Sequence, residues 1–524
     1  MRHRVGLFLG LLLAAIPLFV PAGPEFTILH RKMAAVVLLM ATWWITEAIP
    51  IPATALLPLA LFPLLGILSS AETAPSYGDH LVFLFLGGFL IASAMERWNL
   101  HRRVAIMTIS IIGAGPGRLL LGFMAATAFL SMWISNTATT LMMLPIASAV
   151  VRHVAEDVAD KTRGETVRRE FGSILMLGIA YAASIGGVGT LIGTPPNIVM
   201  SGFITRLFPD MPEITFLQWM LVGVPFVLTS LPIAAWIVWR FGGRIPRGLI
   251  DPSAAARLVR DERAKLGPMT GPERAVAVLF ALTAVLWITR RPVDVGGLTV
   301  PGWSALFPWK EGIHDTTVAV AMALLLFLIP VRPPGERTRR PLLEWREAAE
   351  TIPWGILLLF GGGFALAAGF RETHLDAWMG DQLVHLTGAP TFSLVLSTTL
   401  LMTFLTEVTS NTATTTLLLP VLASAAQAAH LHPLLLMLPA TLAASCAFML
   451  PVATPPNAVV FGTGWLTIGR MARTGFLLNL ATALLIAVLV LGLGRPVLHM
   501  MPPEAAAPWP VPASETAGPA AAGR

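Results

Sequence analysis

A chain of 524 residues, 55% of them hydrophobic and only 12% charged, with a mean hydropathy of +0.74, cannot keep most of its segments in water. Soluble folds are excluded, and the fold class read from composition is an all-α polytopic membrane protein. The formal charge of +6 raises nucleic acid as a partner, but the basic residues fall in loops between apolar runs, where they report topology, so no nucleic acid is expected. The lone cysteine, Cys446, lies in an apolar run and allows no intramolecular disulfide.

In chain order, Arg2 and Arg4 precede an apolar run over 5–20, either a first helix or a secretory leader; both place residue 25 outside. The run 33–49 ends at Pro50 and Pro52, where Glu47 reads as a helix-end carboxylate. The stretch 53–68 is expected to cross back. A polar connection over 69–80 then leads into a helix over 81–95 that carries Gly87-Gly88. The segment 119–150 is apolar but interrupted by Ser135-Asn136-Thr137. Arginines lie before it (97, 102, 103, 118), and Arg152, Lys161, Arg163, Arg168 and Arg169 follow it. A segment with two basic flanks has both ends in one compartment, so it reads as a re-entrant hairpin with the polar string at its tip.

The long apolar segment 171–208 contains GGVGTLIGTPPN at 186–197, which breaks a helix near Gly193-Thr194 and restarts it at the prolines. Crossings over 219–239, 275–288 and 316–329 enclose a basic loop at 240–274 and end at a second basic loop. A helix over 354–370 with Gly361-Gly362-Gly363 follows. Then the string returns: 135–145 reads SNTATTLMMLP and 410–420 reads SNTATTTLLLP. Between Glu372 and His432 there is no Lys or Arg, so this second hairpin enters from the opposite face. The segment 434–466 is broken by PVATPPNAVVFG, the last crossing covers 476–493, and the Ala- and Pro-rich tail at 502–524 reads as disordered.

With the N-terminus inside and the C-terminus outside, 26 of the 35 basic residues lie in the loops assigned to the cytoplasm. The architecture is therefore about eleven transmembrane helices plus two re-entrant hairpins in an inverted repeat. Its parts are N-terminal, mainly scaffold helices (1–80); a first transport repeat (81–208) with hairpin 119–150 and a broken helix; scaffold helices and basic loops (209–353); a second, inverted repeat (354–468) with hairpin 390–425 and a broken helix; a last helix (469–501); and the tail. Paired broken elements point to a secondary transporter with a site near the bilayer midplane.

The Ser, Thr and Asn side chains of these breaks donate to carboxylates, while their oxygens and free backbone carbonyls ligate a hard cation such as sodium. Glu407, just before the second tip, is either a cation-attracting acid or a structural hydrogen-bond partner. Asn136 and Asn411 also suit helix caps. SMWISNTATT at 131–140, TEVTSNTATTT at 406–416 and ASCAFMLPVATPPNAVVF at 444–461 resemble the signatures of the divalent anion–sodium symporters, and the resemblance runs from TEAIP at 46 to the last helix. It implies a first sodium site of Ser131, Ser135, Asn136 and Gly193, and a second of Thr406, Thr409, Asn411 and Ala453. Substrate would meet Asn136, Thr137, Thr194, Asn411, Thr412, Thr454 and Pro455.

The resemblance further implies a homodimer in the plasma (inner) membrane, in contact with lipid, that moves more than one sodium ion with a dianion by an elevator motion. C4-dicarboxylates such as succinate, malate and fumarate are favoured, and citrate, sulfate and sodium-independent exchange are the alternatives. A channel fits less well, since no charged pore ring is present. No catalytic motif of the HExxH or GxSxG type occurs, and no enzyme activity is expected.

Overall fold

Proline, glycine and small capping residues decide where the apolar runs of this chain stop being helical. The computed structural model describes residues 2–21, 23, 26–113, 115–244, 252–295, 298–333, 336–382, 390–498 and 500; the tail at 502–524 lies outside them. Helices α1 (Arg2–Phe19) and α2 (Ile28–Thr46) pack antiparallel, tied by Arg31 Nε to Pro17 O at 3.0 Å and Trp43 Nε1 to Leu7 O at 3.3 Å. The expected crossing over 53–68 falls on two short helices in close succession, α3 (Ile51–Thr54) and α4 (Leu57–Leu65). Pro52, Pro58 and Pro63 each remove a backbone donor. The nine residues of α4 rise roughly 14 Å, about half of a ~30 Å hydrocarbon core.

A capping box between Ser69 and Glu72 starts α5 (Ser70–Thr73), so the expected polar connection is itself partly helical, and it leads into α6 (His80–Arg97). Amphipathic α7 (Leu100–Ile112) follows Asn99, which turns the chain at φ 57°. The first hairpin is α8 (Pro116–Ser131) and α9 (Asn136–Glu156). Next come α10 (Lys161–Gly187), α11 (Pro195–Leu207) and α12 (Phe216–Phe241). The basic loop holds a helix that sequence reading missed, α13 (Pro252–Lys265), docked on α7 by Arg102 to Glu262 at 3.0 Å. Crossings α14 (Gly271–Ile288) and α15 (Asp315–Leu328) flank a short antiparallel ribbon that pairs Val293 with Val300.

The second half runs through α16 (Trp345–Thr351), α17 (Trp354–Thr373) and α18 (Leu375–Gln382), then the second hairpin, α19 (Thr391–Thr406) and α20 (Asn411–Ala428). After it come α21 (Leu434–Ala444), α22 (Pro455–Phe461), α23 (Ile468–Leu489) and, beyond one π-helical turn, α24 (Arg495–Val497). Among the described residues, eight helical runs are long and apolar enough to span a membrane, and one of these is the hairpin arm α9. Length alone does not separate a crossing from a hairpin arm.

The core centres on α10, whose residues from Phe171 to Gly187 are buried on every side. The glycine runs singled out in the sequence are contact points: Gly87 faces the backbone of Ala319, and Gly361 faces Tyr77. At the ends of α14 and α15 the buried Arg290 Nε meets Asp315 Oδ1 at 2.5 Å. The other carboxylate oxygen accepts the Phe216 amide at 2.9 Å, while Arg290 Nη1 reaches Ile313 O. In the loop between α11 and α12, burial opposes the charge of Glu213, yet the hydrogen bond from His314 and the neighbouring His80 and Arg290 hold its carboxyl well below the usual range.

Asp315→Ala leaves Arg290 buried without its partner and is expected to destabilise the fold by about 3–5 kcal/mol, whereas Arg290→Met with Asp315→Leu is expected to recover most of that loss. Thermal unfolding of the purified variants in detergent checks both.

Candidate functional site

Each hairpin tip is a short non-helical turn capped by serine. Ser135 accepts the Ala138 amide at 3.2 Å and Ser410 accepts the Ala413 amide at 3.5 Å, so Asn136 and Asn411 are the first residues of α9 and α20 and not their caps. Freed from capping, the two asparagine side chains are available at helix N-termini, where unpaired amides and the helix dipole favour negative charge.

In the first repeat, Ser131 Oγ lies 2.5 Å from Asn136 Oδ1 and 2.7 Å from Ala183 O, a fully buried hydroxyl between hairpin and α10. Gly186 lets the backbone of Ala128 approach. At Gly187 a Cβ would stand 2.6 Å from Asn136 Oδ1, so only glycine admits this tip. Gly193 in turn packs on the Gly187 carbonyl. Ser131, Asn136 and Gly193 are thus brought together, while Ser135 is exposed and spent on capping.

The turn between α10 and α11 is braced by Asn197, whose Nδ2 donates to Gly187 O at 3.2 Å and Thr190 O at 2.7 Å. Asn457 does the same in the second repeat, donating to Ala447 O at 3.1 Å and Leu450 O at 3.0 Å. Around these matching braces the repeats differ. In the first, Thr190 Oγ1 donates to Met132 O and Trp219 Nε1 to Val188 O. In the second, the position matching Met132 is Glu407. Its carboxylate accepts the amides of Phe448 (2.7 Å), Met449 (2.9 and 3.1 Å) and Leu450 (3.0 Å), and the Asn479 amide at 2.7 Å.

Four donors occupy the roughly four lone-pair sites of one carboxylate. Glu407 is therefore a structural partner of the unwound turn, the second of the two roles open in the sequence. Asn479, Trp219 and Thr190, which sequence reading did not single out, act on residues 31–72 positions away in the chain or at the opposite tip, and no local pattern marks them.

The second cation set is less closely joined. Thr406 Oγ1 bonds back to Met402 O and Thr403 O, and Thr409 Oγ1 to Leu405 O and Thr414 Oγ1. Among the described residues no side-chain hydrogen bond links Thr406, Asn411 and Ala453. Asn411 Oδ1 is buried with no partner, an acceptor left open at the tip. Thr137 and Thr412 are half-buried in the first turns of their helices. Thr194 and Thr454 hold the N-cap positions of α11 and α22. Thr454 accepts the Asn457 amide at 3.3 Å, and Thr194 meets Ser445 of the other repeat at 3.5 Å. Pro455 opens α22 and is exposed, and Val452 beside it is 78% exposed where its counterpart Ile192 is 8% exposed.

The halves interlock: α9 of the first hairpin packs on α22 of the second broken helix, and α20 of the second hairpin packs on α11 of the first. Four helices from two repeats are thereby packed across one another, and the turns that precede them carry no Lys or Arg.

The chain is similar to known membrane transporters along most of its length. The chain is 44% identical over 494 residues to the sodium-dependent dicarboxylate transporter SdcS of Staphylococcus saprophyticus, covering 94% of this chain and 92% of the relative. It is 44% identical over 486 residues to the protein of the same name from Staphylococcus aureus, covering 93% and 90%. Two solved structures share the fold at 12% identity: the YdaH transporter of Alcanivorax borkumensis (TM-score 0.54, 84% of this chain and 90% of that one) and MtrF of Neisseria gonorrhoeae (TM-score 0.52, 81% and 84%). Residues 2–500 match the family described as the sodium:sulfate symporter transmembrane region, and the chain belongs to that family of membrane transporters.

Proposed function

We propose that this protein couples sodium entry to the uptake of a divalent anion, most specifically a C4-dicarboxylate such as succinate, malate or fumarate. The observation that carries the reading is the cross-packing of α9 on α22 and α11 on α20, four helices whose preceding turns are rich in hydroxyls and amides and free of Lys and Arg. The names of the 44%-identical relatives support both the cation and the substrate class. With no Lys or Arg in the turns, and with the charge of Glu407 committed to backbone amides, a dianion is neutralised by co-bound sodium and helix N-termini. Binding then requires sodium.

In this reading one sodium ion is held by Ser131, Asn136 and Gly193 near Ser135, and another by Thr406, Thr409, Asn411 and Ala453. Substrate lies between Asn136 and Thr137 on one side and Asn411 and Thr412 on the other, with Thr194, Thr454 and Pro455 as walls. The unequal exposure of Val452 and Ile192 supports a site open toward one face at a time. The elements of 81–208 and 354–468 form the transport repeats, the remaining helices the scaffold, and two copies form a dimer in the plasma membrane with N-termini inside and C-termini outside.

Radiolabelled succinate uptake into proteoliposomes, with sodium or potassium outside and citrate and sulfate as competitors, tests the coupling. Sodium is expected to be required, and equal uptake in potassium would turn the reading to exchange. Asn136→Ala and Asn411→Ala should each lower uptake by about tenfold or more, the weight of one hydrogen bond to a charged group, while gel filtration still shows folded protein. Glu407→Gln, which puts a donor among donors, is expected to lower the melting temperature and to leave the sodium concentration for half-saturation within about twofold. A tenfold shift in that concentration at unchanged stability would make Glu407 a cation-attracting group.

A further inference from the structure

Outside the hairpin tips, three ligating side chains converge at the end of α6 opposite to α7. His80 is the first residue of α6, Glu213 lies in the loop joining α11 to α12, and His314 is the N-cap residue of α15. One ligand atom from each lies within 4.8 Å of the other two. His314 Nδ1 stands 2.9 Å from Glu213 Oε2, His80 Nε2 stands 3.8 Å from Glu213 Oε1, and the two imidazole rings are 4.7 Å apart.

Each ligand is held by an anchored neighbour. Asp79 caps α6 through the Leu81 amide at 2.8 Å and binds Arg206 at 2.7 Å; Thr215, two residues after Glu213, forms a capping box with Gln218; and Asp315, next to His314, is fixed by Arg290 and the Phe216 amide. His80 also has a carboxylate on its other nitrogen, with Nδ1 3.5 Å from Asp79 Oδ1. That is the second-sphere arrangement that orients a metal-binding imidazole. Its Nε2 is buried and makes no hydrogen bond, the facing Glu213 Oε1 standing 3.8 Å away, beyond hydrogen-bond reach.

We propose that His80, Glu213 and His314 form a binding site for a divalent transition-metal cation of the zinc type. Two imidazoles and one carboxylate suit zinc, nickel or copper better than the hard cations sodium, magnesium or calcium. Bond lengths of roughly 2.0–2.2 Å to such an ion draw the ligand atoms to about 3.4 Å apart, a rotation of three half-buried or loop-borne side chains, and water completes the shell. Arg291 opposes binding. Its Nη2 lies 3.5 Å from Glu213 Oε2, but the side chain is 38% exposed and free to swing into water.

A bound ion ties the loop after α11 to the first residues of α6 and α15. Since α11 begins at Thr194-Pro195 in the substrate region, the ion restrains the element that must rearrange during transport and thereby inhibits uptake. This last step rests on the alternating-access reading above; the binding step does not.

Zinc binding is measured by calorimetry and thermal shift on tag-free protein in detergent, with neither sodium nor succinate present. One high-affinity ion per chain and a raised melting temperature are expected, with nickel competing and magnesium and calcium inert. His80→Gln and His314→Gln should each weaken binding by about tenfold or more, and Arg291→Gln should tighten it. If the double variant His80→Gln/His314→Gln, folded by gel filtration, binds zinc as the wild type does, the site is wrong. In proteoliposomes carrying the three single variants, zinc inhibition should move in step with binding. Tight, histidine-dependent binding that leaves uptake unchanged would overturn the restraint while leaving the metal site standing.

Discussion

A single carboxylate holds open the backbone on which the second half of this structure depends. Between α21 and α22 the chain leaves the helix, and three successive amides, those of Phe448, Met449 and Leu450, point at Glu407 on the opposite hairpin tip. At membrane depth no bulk water is present to satisfy them, and each orphan donor costs roughly 1–3 kcal/mol or more. An ionised acid in the same place is costly by itself. Together, donors and acid satisfy each other, and Asn479 from α23 takes up the remaining lone pair. In the first repeat the corresponding contacts are neutral and run the other way, a threonine hydroxyl and an indole N–H that donate to the carbonyls of Met132 and Val188. The two repeats thus share a path and differ in the chemistry that stabilises it.

That difference matters because the repeats are not separate bodies. Each hairpin leans on the broken helix of the other half, so the turn braced by Glu407 and the turn braced by Thr190 are walls of one region. A disturbance of either brace reaches both sets of cation-ligand candidates. The meeting of Thr194 with Ser445 joins the two halves directly, and within the first half Asn136 sits close against Gly187.

Much of this was legible in the sequence because proline, glycine and the repeated polar strings are local signals. The hairpins expected at 119–150 and 390–425 and both breaks before the proline pairs fall where α8–α11 and α19–α22 place them. Other features depend on partners that are remote in sequence. That Ser135 and Ser410 cap the helices, freeing the asparagines, follows from one residue of register that composition does not fix. The role of Glu407 was open because an acid beside a polar tip looks alike whether it faces an ion or three amides. The stretch 53–68 is apolar enough to cross, yet its prolines divide it, and apolar content by itself does not reveal the division. Helix α13 sits in a loop too polar to stand out beside the membrane segments, and it is tied to α7 by the Arg102–Glu262 ion pair.

The most recognisable motif of the chain carries one more consequence. Asn197 and Asn457 end the two TPPN strings, and each spends its amide group on two carbonyls of the turn that precedes it. Asp has no amide hydrogens to offer, Gln sets the group one methylene too far out, and Ser reaches one carbonyl at most. These asparagines therefore shape the turns, and selectivity among anions has to be sought in the other residues of the site.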